Sequence, residues 1–316
     1  MLFKVWNVRV VHVQSNNMKI LILGKGYIGN YLAKANQEHN IVHISKSDIN
    51  YEDPDTFVKF YHRETNYPKA NFDWIINCSG YTGRPNVEAC ETEKENCYHY
   101  NVTVPLYITK VANRLRIPII HIGSGCIYDG YSQQYTEDDI PNFGADSNFS
   151  SFYSKTKDAF EKLSEHLERY IFRIRIPFNG VSESKNYLWK LLNYENLISQ
   201  QNSITNVDDL VNFVYKFIEK NRPLGIYNVT NKGSIEAKEV VEILKSYGLE
   251  NPKWNFVSIP DAKFKVGRSN CILNTDKIES MGLGLPTVKE SIEKAVKEYS
   301  MSEPIDYRLA KGAYEL

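Results

Sequence analysis

The sequence predicts an α/β fold, a doubly wound parallel sheet with a smaller, discontinuous C-terminal lobe, and three observations predict it. Short apolar runs alternate with helical stretches of mixed polarity from Met18 onward. A glycine-rich turn, Gly24-Lys25-Gly26-Tyr27-Ile28-Gly29, falls between the first such run and the first helical stretch. Beyond about Pro177 the alternation loosens and helices dominate.

In order, buried strands are predicted at 19–23, 41–45, 72–78, 117–122 and 171–176, each a short apolar run bounded by polar residues. Helices are predicted between them at 28–37, 53–62, 102–115 and 153–168, joined by right-handed crossovers. The later part predicts helices at 187–194, 207–220, 237–247 and 288–299, with one strand at 225–229. Residues 18–178 form the sheet domain and 205–230 return to it. Residues 179–204 and 231–300 make the smaller lobe, and 301–316 form a tail.

At 316 residues the chain can bury a full core. Lys+Arg and Asp+Glu both number 38 and no long basic run occurs, which argues against a nucleic-acid binder acting through bulk charge. No apolar stretch reaches the length of a membrane span, so no membrane partner is expected. Cys78, Cys90, Cys97, Cys126 and Cys271 lack metal-ligand spacing, so no metal is expected; an odd set of thiols fits a reducing cytoplasm. Residues 1–17 lack a signal-peptide cleavage site. They read as a loosely ordered extension, or as translation assigned from a start upstream of Met18.

The glycine turn follows a strand and opens a helix, the context in which Gly-x-Gly-x-x-Gly binds a dinucleotide. Gly24 permits the tight turn, Gly26 the close approach of a pyrophosphate, and Gly29 close packing of helix on strand. The helix N-terminus adds free N–H donors, with Tyr27 and Ile28 at the turn. This makes the sheet domain Rossmann-type. The second strand ends Ile44-Ser45-Lys46-Ser47, offering hydroxyls and a cation for a 2′-phosphate where an acidic residue would hold the ribose of NAD. NADP(H) is therefore expected, with NAD(H) as the alternative; Lys46 could equally be an ordinary solvated lysine. Asp48 and Ile49 flank the adenine position, while Cys78, Ser79, Gly80 and Pro177 lie at strand ends beside the dinucleotide.

Tyr153-Ser154-Lys155-Thr156-Lys157 places a phenol and an ammonium one helical turn apart. A free phenol titrates at roughly 10. The ammonium and a positive nicotinamide ring should pull that value down. Tyr153 then protonates an alkoxide as hydride arrives, and Lys157 also anchors the nicotinamide ribose. Ser124 is placed to donate to the reacting carbonyl oxygen. Asn101 is expected to hold a water or a backbone group that completes the proton path. A second Tyr-x-x-x-Lys, Tyr307–Lys311, lies in a tail without catalytic context and shows that the pattern also arises by chance. The alternative for Tyr153, a surface helix tyrosine, fits poorly with Ser124 and the glycine turn.

These residues, in this order, resemble the extended short-chain dehydrogenase/reductases. The segments Tyr81-Thr82-Gly83-Arg84-Pro85-Asn86-Val87-Glu88, Gly123-Ser124-Gly125-Cys126-Ile127-Tyr128, Glu137-x-x-x-Pro141-Asn142-Phe143 and Ser151–Lys157 resemble the bifunctional nucleotide-rhamnose synthases. Among these the resemblance is very close to the giant-virus version, and it is similar in pattern to the plant enzymes. It runs from Met18 to about Tyr299. It implies 3,5-epimerisation and 4-keto reduction of UDP-4-keto-6-deoxy-glucose to UDP-L-rhamnose, in the cytoplasm (the host's, if the chain is viral).

The resemblance also implies that Cys126 is one of two groups exchanging protons at C3 and C5. Lys190, in Lys185-Asn186-Tyr187-Leu188-Trp189-Lys190, is the candidate for the other. On the residues alone, Cys126 could be a small core side chain and Lys190 a solvated helix lysine. The plant enzymes have Thr where Ser124 stands, which preserves the hydroxyl. Candidate substrate contacts are Thr82, Arg84, Asn86, Glu88, Tyr128, Asn179 and Arg268, the last for the diphosphate. Gly125 and Cys126 replace the acidic residues of a dehydratase, so a separate 4,6-dehydratase must supply the 4-keto sugar. A homodimer is a further expectation. The rivals are a reductase-only enzyme similar to the dTDP-4-dehydrorhamnose reductases, and a cofactor-binding regulatory subunit.

Overall fold

The computed structural model describes residues 17–35, 38–62, 72–83, 86–262 and 264–302. The expectations for residues 1–16, for Arg84 and for the tail carrying Tyr307–Lys311 lie outside the described residues.

The first half alternates strand and helix. It runs β1 (Lys19–Leu23), α1 (Tyr27–Ala35), β2 (Asn40–Ile44), α2 (Pro54–Tyr61) and β3 (Trp74–Asn77). A 3₁₀ turn (Val87–Glu91), the short α3 (Lys94–Tyr98) and a π-helical turn (His99–Thr103) lead into α4 (Val104–Leu115). Then come β4 (Ile119–Ser124), β5 (Gly130–Tyr135), α5 (Phe152–Leu163), β6 (Tyr170–Ile174) and β7 (Pro177–Phe178). The second half holds α6 (Tyr187–Asn193), β8 (Asn196–Leu197), β9 (Thr205–Asn206), α7 (Val207–Ile218) and β10 (Gly225–Asn228). It ends with α8 (Ala237–Ser246), β11 (Asn255–Phe256), β12 (Cys271–Leu273), α9 (Asp276–Ser280) and α10 (Val288–Ser302).

Six strands pair in parallel in the order β10-β6-β4-β3-β1-β2. The order reverses between β1 and β3, and in doubly wound sheets ligands bind at the carboxyl ends of the strands flanking that reversal. Burial on both faces explains the near-continuous apolar strands. Along β1, Ile20 and Ile22 pack in one core with Phe172, Phe213 and Phe217, while Leu21 and Leu23 pack in the opposite core with Phe57, Phe60 and Ile108. A third core, including Phe178, Leu188, Val240 and Ile292, sits outside the sheet.

Two differences from the predicted elements have local causes. The helix predicted to 168 stops at Leu163 because the Ser164 hydroxyl donates to the Phe160 carbonyl at 2.7 Å and accepts from Arg169 Nε at 2.6 Å. The pair β5 with β12 was not expected: Gly130–Tyr135 is polar and mostly exposed, so no apolar alternation announces a strand.

Candidate active site

The glycine turn sits at the reversal of the sheet. Cys78 N–H donates to the Leu23 carbonyl at 2.8 Å, bringing the ends of β1 and β3 together. Gly24 adopts φ +101°, and a Cβ there would press on the Ser79 backbone at 2.8 Å. A Cβ on Gly26, by contrast, would meet nothing within 4 Å. That open space over the helix N-terminus is the room a pyrophosphate needs, so the turn fits a dinucleotide.

Around the turn the expected cofactor residues divide. Ser45 Oγ lies 2.7 Å from Ser47 Oγ and donates to Asp48 at 2.8 Å, and Lys25 pairs with Asp48 at 2.8 Å. Lys25 and the Ser45 backbone hold the exposed Asp48 carboxyl well below the usual carboxylate range. Lys46 reaches out over the Tyr100 ring, donates to its hydroxyl at 2.5 Å and faces Glu52 at 3.4 Å. Two lysines and two hydroxyls thus cluster at the end of β2. Ile49 is buried under that edge, Ile28 packs on the core, and burial keeps the Cys78 thiol neutral. Tyr27 departs from expectation: its phenol is buried and donates to Asn179 Oδ1 at 2.9 Å, leaving no hydroxyl for a cofactor.

Ser124 closes β4 and is held there by pairing with Ile174 of β6. Tyr153 and Lys157 project from one face of α5, whose first turn is capped by Ser151 accepting from the Ser154 N–H. The Lys157 ammonium lies 5.6 Å from the centre of the Tyr153 ring. It also lies 3.5 Å from where a Cβ on Gly80 would stand, so Gly80 leaves the space beside it open. Burial, and then the nearby Cys126, push the Tyr153 phenol up, against a hydrogen bond from Ser124. This corrects the expected lowering: in the protein alone, desolvation outweighs the ammonium. Burial lowers Lys157, with Cys97, Glu161 and Cys126 opposing.

Half-buried Cys126 donates its N–H to Ser124 Oγ at 3.2 Å and lies within electrostatic reach of Tyr153, Lys157, Arg268 and Cys271. Lys190 lies on α6. Its half-buried ammonium is lowered by burial and by Lys185, and no carboxylate pairs with it among the described residues. Arg268 donates to Glu88 at 2.8 Å and covers the Phe264 ring at 4.2 Å. Two expected substrate contacts are thus joined to each other.

Three expected substrate contacts already hold protein groups, two of them deep in the fold. Tyr128 is fully buried, stacked on Tyr135 at 4.5 Å, and its hydroxyl donates to the Asp139 carbonyl while accepting from Arg173. Asn179 is fully buried and accepts from Tyr27 and from Asn186 at 3.0 Å. Asn86 spends its carbonyl capping the 3₁₀ turn through the Glu88 N–H at 2.9 Å. Thr82 is exposed, and Pro177 opens β7.

Asn101 does hold backbone: it accepts from the Tyr81 N–H and donates to the Tyr81 carbonyl, both at 2.8 Å, and also donates to Thr156 of α5 at 3.1 Å. It sits in the π-helical turn, where an extra residue turns the side chain inward. Sequence reasoning passed over Asn77 and His121. His121 Nε2 lies 2.8 Å from Thr109 Oγ1, whose proton goes to the Pro105 carbonyl. The ring therefore donates from Nε2 and accepts from Asn77 at Nδ1, 3.0 Å away, leaving Asn77 Oδ1 to receive the Ser79 N–H. A histidine within an apolar strand is the signal that could have found it.

The RmlD substrate binding domain model matches residues 18–301. The chain is 30% identical over 296 residues to a bifunctional dTDP-4-dehydrorhamnose 3,5-epimerase/dTDP-4-dehydrorhamnose reductase of Arabidopsis thaliana, covering 90% of this chain and 94% of that one. A trifunctional UDP-glucose 4,6-dehydratase/3,5-epimerase/UDP-4-keto-L-rhamnose-reductase from the same plant is 30% identical; the match takes in 89% of this chain but 42% of that one. Among solved structures, the L780 UDP-rhamnose synthase of Acanthamoeba polyphaga mimivirus superposes with a TM-score of 0.78 at 25% identity, over 89% of this chain and 99% of that one. A dTDP-4-dehydrorhamnose reductase of Bacillus anthracis in complex with NADP shares the fold at a TM-score of 0.76 and 18% identity, over 91% of this chain and 100% of that one. With its glycine turn, its Ser124/Tyr153/Lys157 grouping and a match over nearly its whole described length, the chain belongs to the RmlD substrate binding domain family.

Proposed function

We propose that the protein is an NADPH-dependent 3,5-epimerase/4-reductase that converts UDP-4-keto-6-deoxy-D-glucose to UDP-L-rhamnose. The observation that carries this reading is the gathering of Ser124, Cys126, Tyr153 and Lys157 at one place beside the dinucleotide turn. NADPH, when bound, supplies the hydride for C4 of the sugar. Tyr153 gives its proton to O4, Ser124 donates a hydrogen bond to the same oxygen, and Lys157 holds the ribose and the phenol in register. Before reduction, Cys126 and Lys190 remove and return protons at C3 and C5, carbons acidified through the 4-ketone. The sugar nucleotide lies between the sheet domain (18–178 with 205–230) and the smaller lobe, with Arg268 and Glu88 at its mouth. The same proposal includes a cytoplasmic setting, a homodimer and a separate 4,6-dehydratase upstream, an activity fused in the trifunctional plant relative.

The deciding experiment incubates the protein with UDP- and dTDP-4-keto-6-deoxy-glucose in D₂O. Deuterium at C3 and C5 without NADPH, followed by NADPH oxidation, supports the reading; oxidation without exchange reduces it to a ketone reductase.

Two further outcomes are expected. Lys46→Ala should raise KM for NADPH about tenfold and leave NADH unaffected, since a charged hydrogen bond to a 2′-phosphate is worth about 1.5–3 kcal/mol. Exchange should also rise with pH: burial lowers Lys190, so its neutral, proton-accepting form appears at lower pH than for an ordinary lysine. Lys190→Met should abolish that rising limb in a pH series of deuterium uptake.

A further inference from the structure

Arg175, just past β6, is 1% exposed, and among the described residues no carboxylate pairs with it. Its Nη1 donates to the Gly125 carbonyl at 3.0 Å and to Ser269 Oγ at 2.8 Å. Its Nη2 donates to Asn202 Oδ1 at 2.5 Å and to the Ser269 carbonyl at 3.0 Å, while Nε has no partner. An uncompensated buried cation is costly, and a well-packed apolar residue is often the more stable choice at such a place. Its presence there points to a role other than packing.

The two segments it ties together are those of the half-reaction at C3 and C5. Gly125 lies between Ser124 and Cys126, and Ser269 follows Arg268, whose guanidinium donates to Glu88 at 2.8 Å and lies within electrostatic reach of Cys126. The contact is close enough that a Cβ on Gly125 would stand 3.0 Å from Arg175 Cγ and 2.6 Å from Leu273 Cδ1. Asn202, the remaining acceptor, also receives the N–H of Cys271 at 3.2 Å.

We infer that Arg175 is a positioning residue of the epimerisation centre, fixing the Gly125 carbonyl and the Ser269 segment so that Cys126 and Arg268 face one substrate. The inference rests on the epimerase/reductase reading and deepens it. The two catalytic groups depend on Arg175 unequally. Ser124 is held by the sheet, through its pairing with Ile174 and the Gly125 N–H donating to the Ile174 carbonyl at 3.0 Å. Cys126 lies beyond the last strand bond. Its own N–H rests on Ser124 Oγ at 3.2 Å, and the Gly125 carbonyl before it accepts from Arg175 at 3.0 Å and, at longer range, from the Tyr128 N–H at 3.4 Å and Cys271 Sγ at 3.7 Å.

The test compares wild type, Arg175→Lys and Arg175→Met by deuterium uptake at C3 and C5, and by NADPH oxidation with an already epimerised 4-keto-L-sugar nucleotide. Arg175→Met should lower exchange at least tenfold more than it lowers reduction, and Arg175→Lys, which keeps a donor, should recover part of the difference. Ser269→Ala, which removes one acceptor at a half-buried site, should lower the exchange-to-reduction ratio about threefold and serves if the arginine variants do not fold. Equal losses in both reactions, or no loss in either, overturn the inference while the epimerase reading stands. No exchange by the wild-type protein removes both.

Discussion

Tyr153→Phe is expected to lower reduction of the 4-keto sugar by about 100- to 10,000-fold, the range that general acid catalysis covers, while protons at C3 and C5 continue to exchange. Phenylalanine keeps the ring and loses only the proton carried toward O4. Burial pushes the phenol up, so the group is protonated throughout the neutral range and its loss cannot be mimicked by raising the pH there. Cys126 and Lys190 lie on other elements and keep their own environments, which is why exchange survives. Single-turnover NADPH oxidation and proton NMR in D₂O report the two steps separately. Reduction that persists at wild-type rate removes Tyr153 as the donor, and exchange that disappears with it makes the phenol a member of the epimerisation pair.

Much of the sheet was legible because strands buried on both faces are written as continuous apolar runs. The stretch 19–23 is predicted to the residue, and 41–45, 72–78, 117–122 and 171–176 each overlap an observed strand. What escaped were elements stabilised by neighbours rather than by their own pattern. Strand β5 is polar and exists because Cys271–Leu273 runs beside it. The π-helical turn at His99–Thr103 is invisible to a periodicity argument, and the helix predicted at 102–115 reaches only its last two residues.

The site divides in the same way. Glycines, a Tyr-x-x-x-Lys pair and a Ser-x-Cys segment announce themselves because the chemistry demands particular side chains at fixed spacing. The residues that orient them do not, since a partner can come from anywhere in the chain. Tyr128 and Asn179 read as substrate contacts from their places near the motifs, yet both point inward to Arg173 and Tyr27, contacts spanning 45 and 152 residues. The clearest signal passed over was charge in a buried strand. Arg173, within β6, and Arg175, just past its end, stand in an otherwise apolar run and alternate with Phe172 and Ile174. Arg173 reaches Glu161 of α5 and Arg175 reaches the Gly125 carbonyl beside Ser124.

Arg173→Met is expected to destabilise the fold by about 3–5 kcal/mol, because it strands a buried carboxylate. Arg173 is 2% exposed and Glu161 7%, and the guanidinium grips both carboxylate oxygens through Nε and Nη2, at 3.1 and 2.6 Å. Burial works against the arginine's charge, but Glu161 more than offsets it, so the guanidinium is held more firmly charged than in water. The double variant Arg173→Met/Glu161→Gln should recover most of the loss, since removing both charges removes the desolvation cost along with the attraction. Denaturant midpoints for the two single variants and the double give the coupling energy directly. The pair also bears on activity: Glu161 follows Lys157 by one helical turn, and its charge already acts on that ammonium. Freed of Arg173, the carboxylate becomes a competing partner that draws Lys157 away from the Tyr153 ring. Reduction should therefore fall in Arg173→Met even below its melting range and return in the double variant; a double variant as inactive as the single would show that Arg173 serves the site through Tyr128 instead.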